Sequence, residues 1–500
     1  MKNLASHWFE RIPYIRALRT ADAAVTSGVD QSLQPKRNER GLSMLTRPML
    51  LALLACSWPI DDCFSQERQT RVLTISESVE LALRNNPLIE AAGTSLDLAY
   101  AKRAQASHAR YLPRFTLRQV VGPIPRARGF ITPDGGVISP DTSTGLSDLR
   151  VFTQVDLDII QPLWTFGKLG GIRDAAASGV EAGEANVAVK MAEVQLQVRR
   201  LYWGLVLGYE LLDVVEDMLK EVIDAQNKIE TKLDEGSDEV SQTDLFQMQI
   251  VRYEVDKRRR NAIHEIELAK AALRVAIGLD DPVEFDLATR SLERVETTVD
   301  SLSTYIAMAL RNRPEIAQLR AGVAARSSLV RASTSDYFPQ FFLGGQIRFN
   351  RAADRFDPRN PFVYNPTNFF RPGIIVGMNW NLNFVQTRDK VRIARVEESV
   401  LAQREPFLVN GIKLDVRRAY LAVKQSGRDI LESRKALRAS DNWLRSETQT
   451  FDLGIGDVND VIDAFRANGS MRGEHLQNIF RFNTSLAELS KAVGRDLYPD

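Results

Sequence analysis

The stretch "GDVNDVIDA" at 456–464 sets Asp457, Asp460 and Asp463 three residues apart. On a helix, steps of three keep side chains near one face. Clustered carboxylates can hold a divalent cation, share a proton in acid–base chemistry, or line a charged passage. A hydrolytic or redox centre needs further groups, and the sequence does not provide them near this stretch. The four histidines (His7, His108, His264 and His475) are scattered without ligand spacing, and no Gly-rich phosphate loop accompanies the aspartates. The two cysteines, Cys56 and Cys63, lie close to the N-terminus, which leaves no CxxC site downstream. The expectation is a protein that is not an enzyme, with no metal and no cofactor. Asp457, after Gly456, reads as a helix N-cap, and the role of the other two depends on the surrounding elements.

Bulk composition narrows the class. Lys and Arg number 65 against 64 acidic residues, so no basic surplus points to nucleic acid. The hydrophobic fraction is 44%, and no apolar run beyond the first seventy residues reaches the roughly 18–20 needed for a spanning helix. From Met44, "MLTRPMLLALLACSWPIDDCFSQ" offers Arg47, a short apolar core at Met49–Ala55 and a cleavage region near Ser65. That is the layout of a secretory signal, with residues 1–65 forming an extension plus signal and Met44 the expected true start. "LLAC" at 53–56 also fits a lipidation site at Cys56.

The rest reads as a duplication. "ALRNNP" (82–87) returns as "ALRNRP" (309–314), and "SHARYLPRF" (107–115) returns as "STSDYFPQF" (333–341). "PLWTFGKLGGIRDA" (162–175) aligns loosely with "NLNFVQTRDKVRIA" (381–394). Two repeats are expected, at 74–290 and 300–497, each running helix, strand, strand and long helix hairpin. Helices are predicted over 76–112 and 301–337, with Pro87 and Pro314 starting new helices.

Both halves then switch to a period of two. Val155 and Leu157 alternate with Gln154, Asp156 and Asp158, after a shorter strand around Phe115–Val121. Phe341, Leu343, Ile347 and Phe349 alternate with Gln340, Gly344, Gln346 and Arg348. In "IIVGMNWNLNF", Ile374, Val376, Met378, Trp380, Leu382 and Phe384 alternate with Ile375, Gly377, Asn379, Asn381 and Asn383. Segments of this length, apolar on one face and polar on the other, suit either tilted membrane strands or a soluble sandwich. In the membrane reading Trp380, Met378, Leu382, Phe384, Val155 and Leu157 face lipid. Asn379, Asn381, Asn383, Asp156 and Asp158 then face a polar, cation-tolerant lumen. Long polar loops at 123–149 and 350–372 fit the outward loops of such a barrel.

Val187, Met191, Val194, Val198, Leu201 and Leu205 open an apolar stripe of alternating threes and fours that continues to Leu233, interrupted at Gly208 and Gln226. It predicts a coiled-coil-like helix over 168–233, about 100 Å long at 1.5 Å per residue. A break at 234–244 precedes a return helix to 277. The second half repeats the pattern with a helix over 388–450, a break at 451–457 and a return to 493. Pro406 should kink its helix. Four strands leave open edges, and three copies would close twelve of them over a water-filled interior.

Through "ALRNNP"/"ALRNRP", "ARYLPRF"/"SDYFPQF", "QPLWTFGK" and above all "FDLGIGDVNDVIDA", the chain resembles the TolC-type outer-membrane efflux and secretion channels over about 74–495. The resemblance implies a mainly α fold with a membrane β-barrel: a homotrimer with four strands per chain, continuous with an α-helical barrel. It also implies an outer-membrane location with a periplasmic extension. It further implies a passive duct for a tripartite efflux pump or type I secretion system, with a periplasmic adaptor and an inner-membrane pump as partners. Asp460 and Asp463, with Asp244 in the first half and Phe451 beside the turn, match the family's periplasmic gate. Leu233, Gly236, Leu453, Gly454 and Gly456 fall where the adaptor docks. Two departures stand out: the first-half turn is about two residues longer, and Gly456 replaces a basic residue that braces the gate in some members. The alternative from another class is a periplasmic coiled-coil scaffold with soluble strands.

Overall fold

The long heptad stripe folds as a helix of 67 residues, the longest element of the chain. The computed structural model describes residues 71–131, 137–142, 148–237, 240–279, 284–355, 357, 362 and 364–498. Cys56, Cys63 and the signal-like segment lie outside the described residues.

In chain order the elements are β1 (Arg71–Leu73), α1 (Ile75–Asn85), α2 (Pro87–Tyr111), β2 (Arg114–Pro125), β3 (Ala127–Ile131), β4 (Val137–Thr142), β5 (Leu149–Trp164), α3 (Lys168–Asp234) and α4 (Gln242–Ile277). There follow β6 (Phe285–Leu287), α5 (Leu302–Asn312), α6 (Pro314–Thr334), a 3₁₀ turn, β7 (Gln340–Ala352), β8 (Phe369–Asn379), α7 (Phe384–Ala402), α8 (Arg404–Asp452) and α9 (Val458–Val493). Helix pair, strand pair and long helix hairpin thus occur twice in the same order.

The repeated "NxP" motif has a visible purpose. In each half the residue before the proline takes the N-cap position of the next helix, Asn86 with a side-chain bond from the Leu88 amide and Arg313 without one, and its side chain reaches the end of the return helix. Asn86 Nδ2 donates to the Ala276 carbonyl at 2.9 Å, and Arg313 Nε donates to the Ala492 carbonyl at 3.0 Å. Two residues beyond those carbonyls, Gly278 and Gly494 end α4 and α9 with φ of +65° and +71°. A Cβ on Gly278 would meet the Asn85 carbonyl oxygen at 2.8 Å, so the chain both turns left-handed and packs too tightly there for a side chain.

The apolar stripe of α3 buries Val194, Val198, Leu205, Val222 and Ile229. One core joins the middle of α3 to α4, α8 and α9 around Tyr202, Leu205, Leu273, Ile430 and Phe482. A short parallel pair of β1 with β6 adds Leu73 and Phe285 to this core, a pairing that three-residue segments do not announce in sequence. The strap after β6 is tied down by Asn483, whose Nδ2 donates to the Glu293 carbonyl and whose Oδ1 accepts from the Val295 amide. A second core occupies the far end of the hairpins, around Ile229, Met248, Phe451, Ile462 and Phe465.

The strands form one antiparallel sheet in the order β2-β5-β7-β8, leaving β2 and β8 as free edges. Several expectations need correcting. β2, β5 and β7 run to 12, 16 and 13 residues, longer than the alternation indicated, and β8 to 11. The 123–149 loop contains the β3–β4 hairpin. The second long helix is interrupted at Gln403, between α7 and α8, three residues before Pro406, whose ring clashes with the carbonyl four residues back.

The largest correction concerns β8, which ends at Asn379. Trp380 and Leu382 lie in the link, and Phe384 opens α7, so none of the three is a strand residue. Asn381 Oδ1 accepts the Asn383 amide at 3.0 Å, and this side-chain turn outcompetes the ladder. The Asn383 carbonyl then accepts from Thr387 and starts the helix.

Candidate functional site

At the far end of the hairpins, each turn is set by a left-handed glycine. Gly236 and Gly454 have φ of +73° and +77°. Gly456 packs so closely that a Cβ would stand 2.7 Å from the Phe451 amide nitrogen. Asp457 caps α9: its Oδ1 accepts the Asn459 amide at 2.8 Å. That backbone bond, with the Asn459 side-chain amide, holds the Asp457 carboxyl below its usual range. Asp244 does comparable work at the start of α4, where it accepts from the Ser241 amide at 2.8 Å and hydroxyl at 2.7 Å in a capping box.

Asp460 and Asp463 are different. Both are exposed, and among the described residues neither carboxylate has a hydrogen bond or ion pair. They follow Asp457 on the outer surface of α9, free to interact with something beyond this chain. Among the described residues no three metal-binding side chains gather.

Phe451, expected beside the passage, is 7% exposed and packs inside the tip core with Val458, Ile462 and Phe465. The Lys232 ammonium sits over its ring, 4.9 Å from the centroid. Phe451 is therefore a core residue of the tip in this chain, held there because the Gly454 turn folds it inward. Leu233 is half-buried against the same core. Leu453 and Ile455, by contrast, are 75% and 78% exposed at the very end of the turn. Ile455 was not singled out from sequence, although its place between Gly454 and Gly456 puts it at the apex.

The hairpins meet loosely near the tip. A cavity of about 650 Å³ opens between them, lined by Val222, Ala225, Met248, Leu444 and Phe451. Lys228 spans the gap to Asp452 at 2.9 Å, and Arg466 reaches Glu254 at 3.3 Å.

At the other end of the helices, the register sorts the sheet into two faces, because directly paired residues share a face. Leu117, Leu157, Ile347 and Pro372 form one row on one face, and Phe115, Ile159, Gly345 and Ile374 form the next. Val155 and Met378 lie on the same apolar face. Leu117, Ile374, Val376 and Met378 are all exposed, with no layer of the described residues over them. Aromatic residues gather where strands meet helices: Phe166 stacks on Phe338 at 5.0 Å between centroids, and Trp380 meets Phe384 edge-on at 6.1 Å. Trp380 also donates its indole N–H to the Tyr337 carbonyl at 3.1 Å. An apolar band edged by such a girdle is the pattern of a membrane barrel wall.

The middle of the opposite face is polar, with Ile160, Phe342 and Ile375 in the rows nearest the helices. One row reads Thr116, Asp158, Gln346 and Gly373, and Gln346 Nε2 donates to Asp158 Oδ1 at 3.0 Å. The adjacent row reads Arg118, Asp156, Arg348 and Arg371. The polar, cation-tolerant character expected of this face rested on Asp156 and Asp158 with three asparagines, and the register adds Arg118, Arg348 and Arg371 beside Asp156. Asn381 and Asn383 leave this face altogether, because the chain has already turned at Asn379. Among the described residues no helix is long and apolar enough to cross a membrane, which says nothing about strands.

No family model matches the chain, and no curated protein matches it in sequence. Solved structures do match its fold. The outer-membrane channel OprN superimposes with a TM-score of 0.69 at 17% identity, over 85% of this chain and 91% of OprN. The CmeC outer membrane channel of Campylobacter jejuni matches at 0.68 and 16% identity, over 90% of this chain and 94% of CmeC. The MtrE outer membrane channel of Neisseria gonorrhoeae, solved in its open state, matches at 0.67 and 17% identity, over 85% and 90%. The mainly helical chain with one four-stranded antiparallel sheet therefore has the TolC-type fold of the outer-membrane channels.

Proposed function

We propose that three copies of the chain close a twelve-stranded barrel in the outer membrane, continuous with a periplasmic helical duct. In this reading the duct passively carries substrates outward for a tripartite efflux pump or a type I secretion system. The observation that carries it is the sheet: one bare apolar face, one polar face and two free edges. The free edges β2 and β8 run in opposite directions, so β8 of one copy can pair antiparallel with β2 of the next. Closure removes both edges and turns the apolar faces to lipid and the polar faces to water.

The two halves, 74–290 and 300–497, are proposed as copies of one unit, each supplying one strand pair and one hairpin. At the periplasmic end, Asp460 and Asp463 of three copies would form a ring of like charge that tunes the opening. Leu453 and Ile455, exposed at the turn, would receive the helical tips of an adaptor whose partner is an inner-membrane pump. The duct needs no cofactor and performs no chemistry.

Fractionation tests the reading directly. The protein should remain with the outer membrane and run without heating as a trimer that collapses to monomer on boiling. Recovery as a soluble monomer or dimer would instead favour the periplasmic scaffold.

A further inference from the structure

Asp156 lies in register between Arg118 and Arg348, and Arg348 lies directly opposite Arg371. The row thus carries three guanidinium groups and one carboxylate. Among the described residues neither the Arg118 nor the Arg348 guanidinium makes an ion pair or hydrogen bond, and both residues are exposed on the polar face. Asp156 does not neutralise them by contact. Its Oδ2 accepts from Gln154 Nε2 at 2.7 Å, and its Oδ1 is buried with no partner. Arg371 is fixed over the rings of Phe369 and Tyr364, 4.6 and 5.0 Å from their centroids.

Like charges directly opposite each other destabilise a sheet, and an arginine ladder without partners does nothing to hold strands together. The cost makes sense if a third party supplies the negative charge. We propose that this row forms a basic collar inside the barrel, a transient binding site for anionic solutes passing outward: carboxylates, sulfates or phosphates rather than cations. The inference rests on the trimeric duct proposed above.

Three copies would place nine arginines and three aspartates at one level. Twelve strands about 4.8 Å apart, tilted about 40°, enclose a backbone radius of about 12 Å. Arginine side chains extending inward leave a gap comparable to the Debye length of about 8 Å at physiological salt, so the field of the collar spans the lumen. The collar and the acidic tips do not offset each other, because part of a strand and the whole of α3 lie between them.

The test uses single-channel current through the full-length protein in planar bilayers, with inorganic tripolyphosphate added on the side of the strand-connecting loops. The wild-type channel should be blocked reversibly. Combined Arg118→Gln and Arg348→Gln should weaken block at least tenfold, while Asp156→Asn, which changes one atom per copy and removes the opposing charge, should strengthen it several-fold. Block that is the same in all three proteins overturns the collar and leaves the duct standing. A wild-type protein that inserts but carries no current overturns the duct and the collar with it. If the double variant fails to form trimers, Asp156→Asn decides alone: unchanged or weaker block refutes the proposal.

Discussion

Leu117 and Thr116 are neighbours on β2 that point to opposite faces, and arginine placed at each should have opposite consequences. Leu117 is 66% exposed and pairs with Leu157 in the middle rows of the apolar band. Its replacement removes little packing within the chain, so the effect reports the surroundings of the face. In lipid, arginine near the midplane of a barrel wall costs about 2–4 kcal/mol. At 1.4 kcal/mol per factor of ten, that is roughly 30- to 700-fold in the folding equilibrium for each copy. Thr116→Arg puts the same side chain on the polar face, directly opposite Asp158, where an opposite-charge pair contributes about 0.2–1 kcal/mol favourably. The assay is the fraction of heat-modifiable trimer recovered after refolding into lipid vesicles across a urea series. Leu117→Arg should shift the midpoint strongly downward and Thr116→Arg should leave it near wild type. Equal midpoints, or a Leu117→Arg protein that becomes more soluble and stays stable in water, would refute the lipid-facing assignment.

Replacing Asp460 and Asp463 with Asn should raise single-channel conductance and weaken block by cations from the tip side; unchanged conductance would remove both residues from the opening. Leu453→Asp with Ile455→Asp should leave trimer yield intact, since neither side chain is packed, while cutting adaptor cross-linking about tenfold. The half-buried His475 ring accepts or shares a proton with Ser433 Oγ at 2.9 Å, and burial, aided by Arg434, holds its pKa below 6.5. The folded state therefore resists protonation more than the unfolded chain. Stability should be full above about pH 6.5 and fall as pH drops below it, and His475→Gln should flatten that part of the melting-temperature profile.

The helical part was highly legible in the sequence because several signals coincide. The stripe from Val187 to Leu233, the turns at Gly236 and Gly454 and the cap at Asp457 agree on the same boundaries, and the observed helices match them within a few residues. Strand ends were less legible. Trp380, Leu382 and Phe384 continue the alternation of β8, yet Asn381 turns the chain through its own side chain, a choice that hydrophobic pattern does not encode. Phe451 was assigned to the gate through the resemblance alone, and its burial with Val458, Ile462 and Phe465 depends on packing between helices that are distant in sequence. The arginine row was illegible for a different reason. Arg118 and Asp156 belong to the first half and Arg348 and Arg371 to the second, and only the pairing of β5 with β7 brings them to one level. Asp156 read alone is an acid; read with its neighbours it is the minority charge.

The pairing across the halves also explains why a duplicated unit suits an open sheet. Each half contributes one strand running away from the helices and one returning, so the four-stranded sheet starts with an outgoing edge at β2 and ends with a returning edge at β8. Such edges are complementary between copies but not within one, since β2 cannot reach β8 without curling four strands into too tight a ring. Contact of β8 with a neighbour's β2 is head-to-tail, and head-to-tail contacts either close by rotation or grow into filaments. In the proposed trimer closure is favoured because α3 and α7 follow the strands of the same sheet toward the long hairpins, so any rotation chosen by the strands must also be satisfied by helix packing over about 100 Å. An odd number of strands per chain would force a parallel seam at every junction. In the proposed trimer two like halves supply an even number, which would give every backbone group of the wall in the membrane an antiparallel partner.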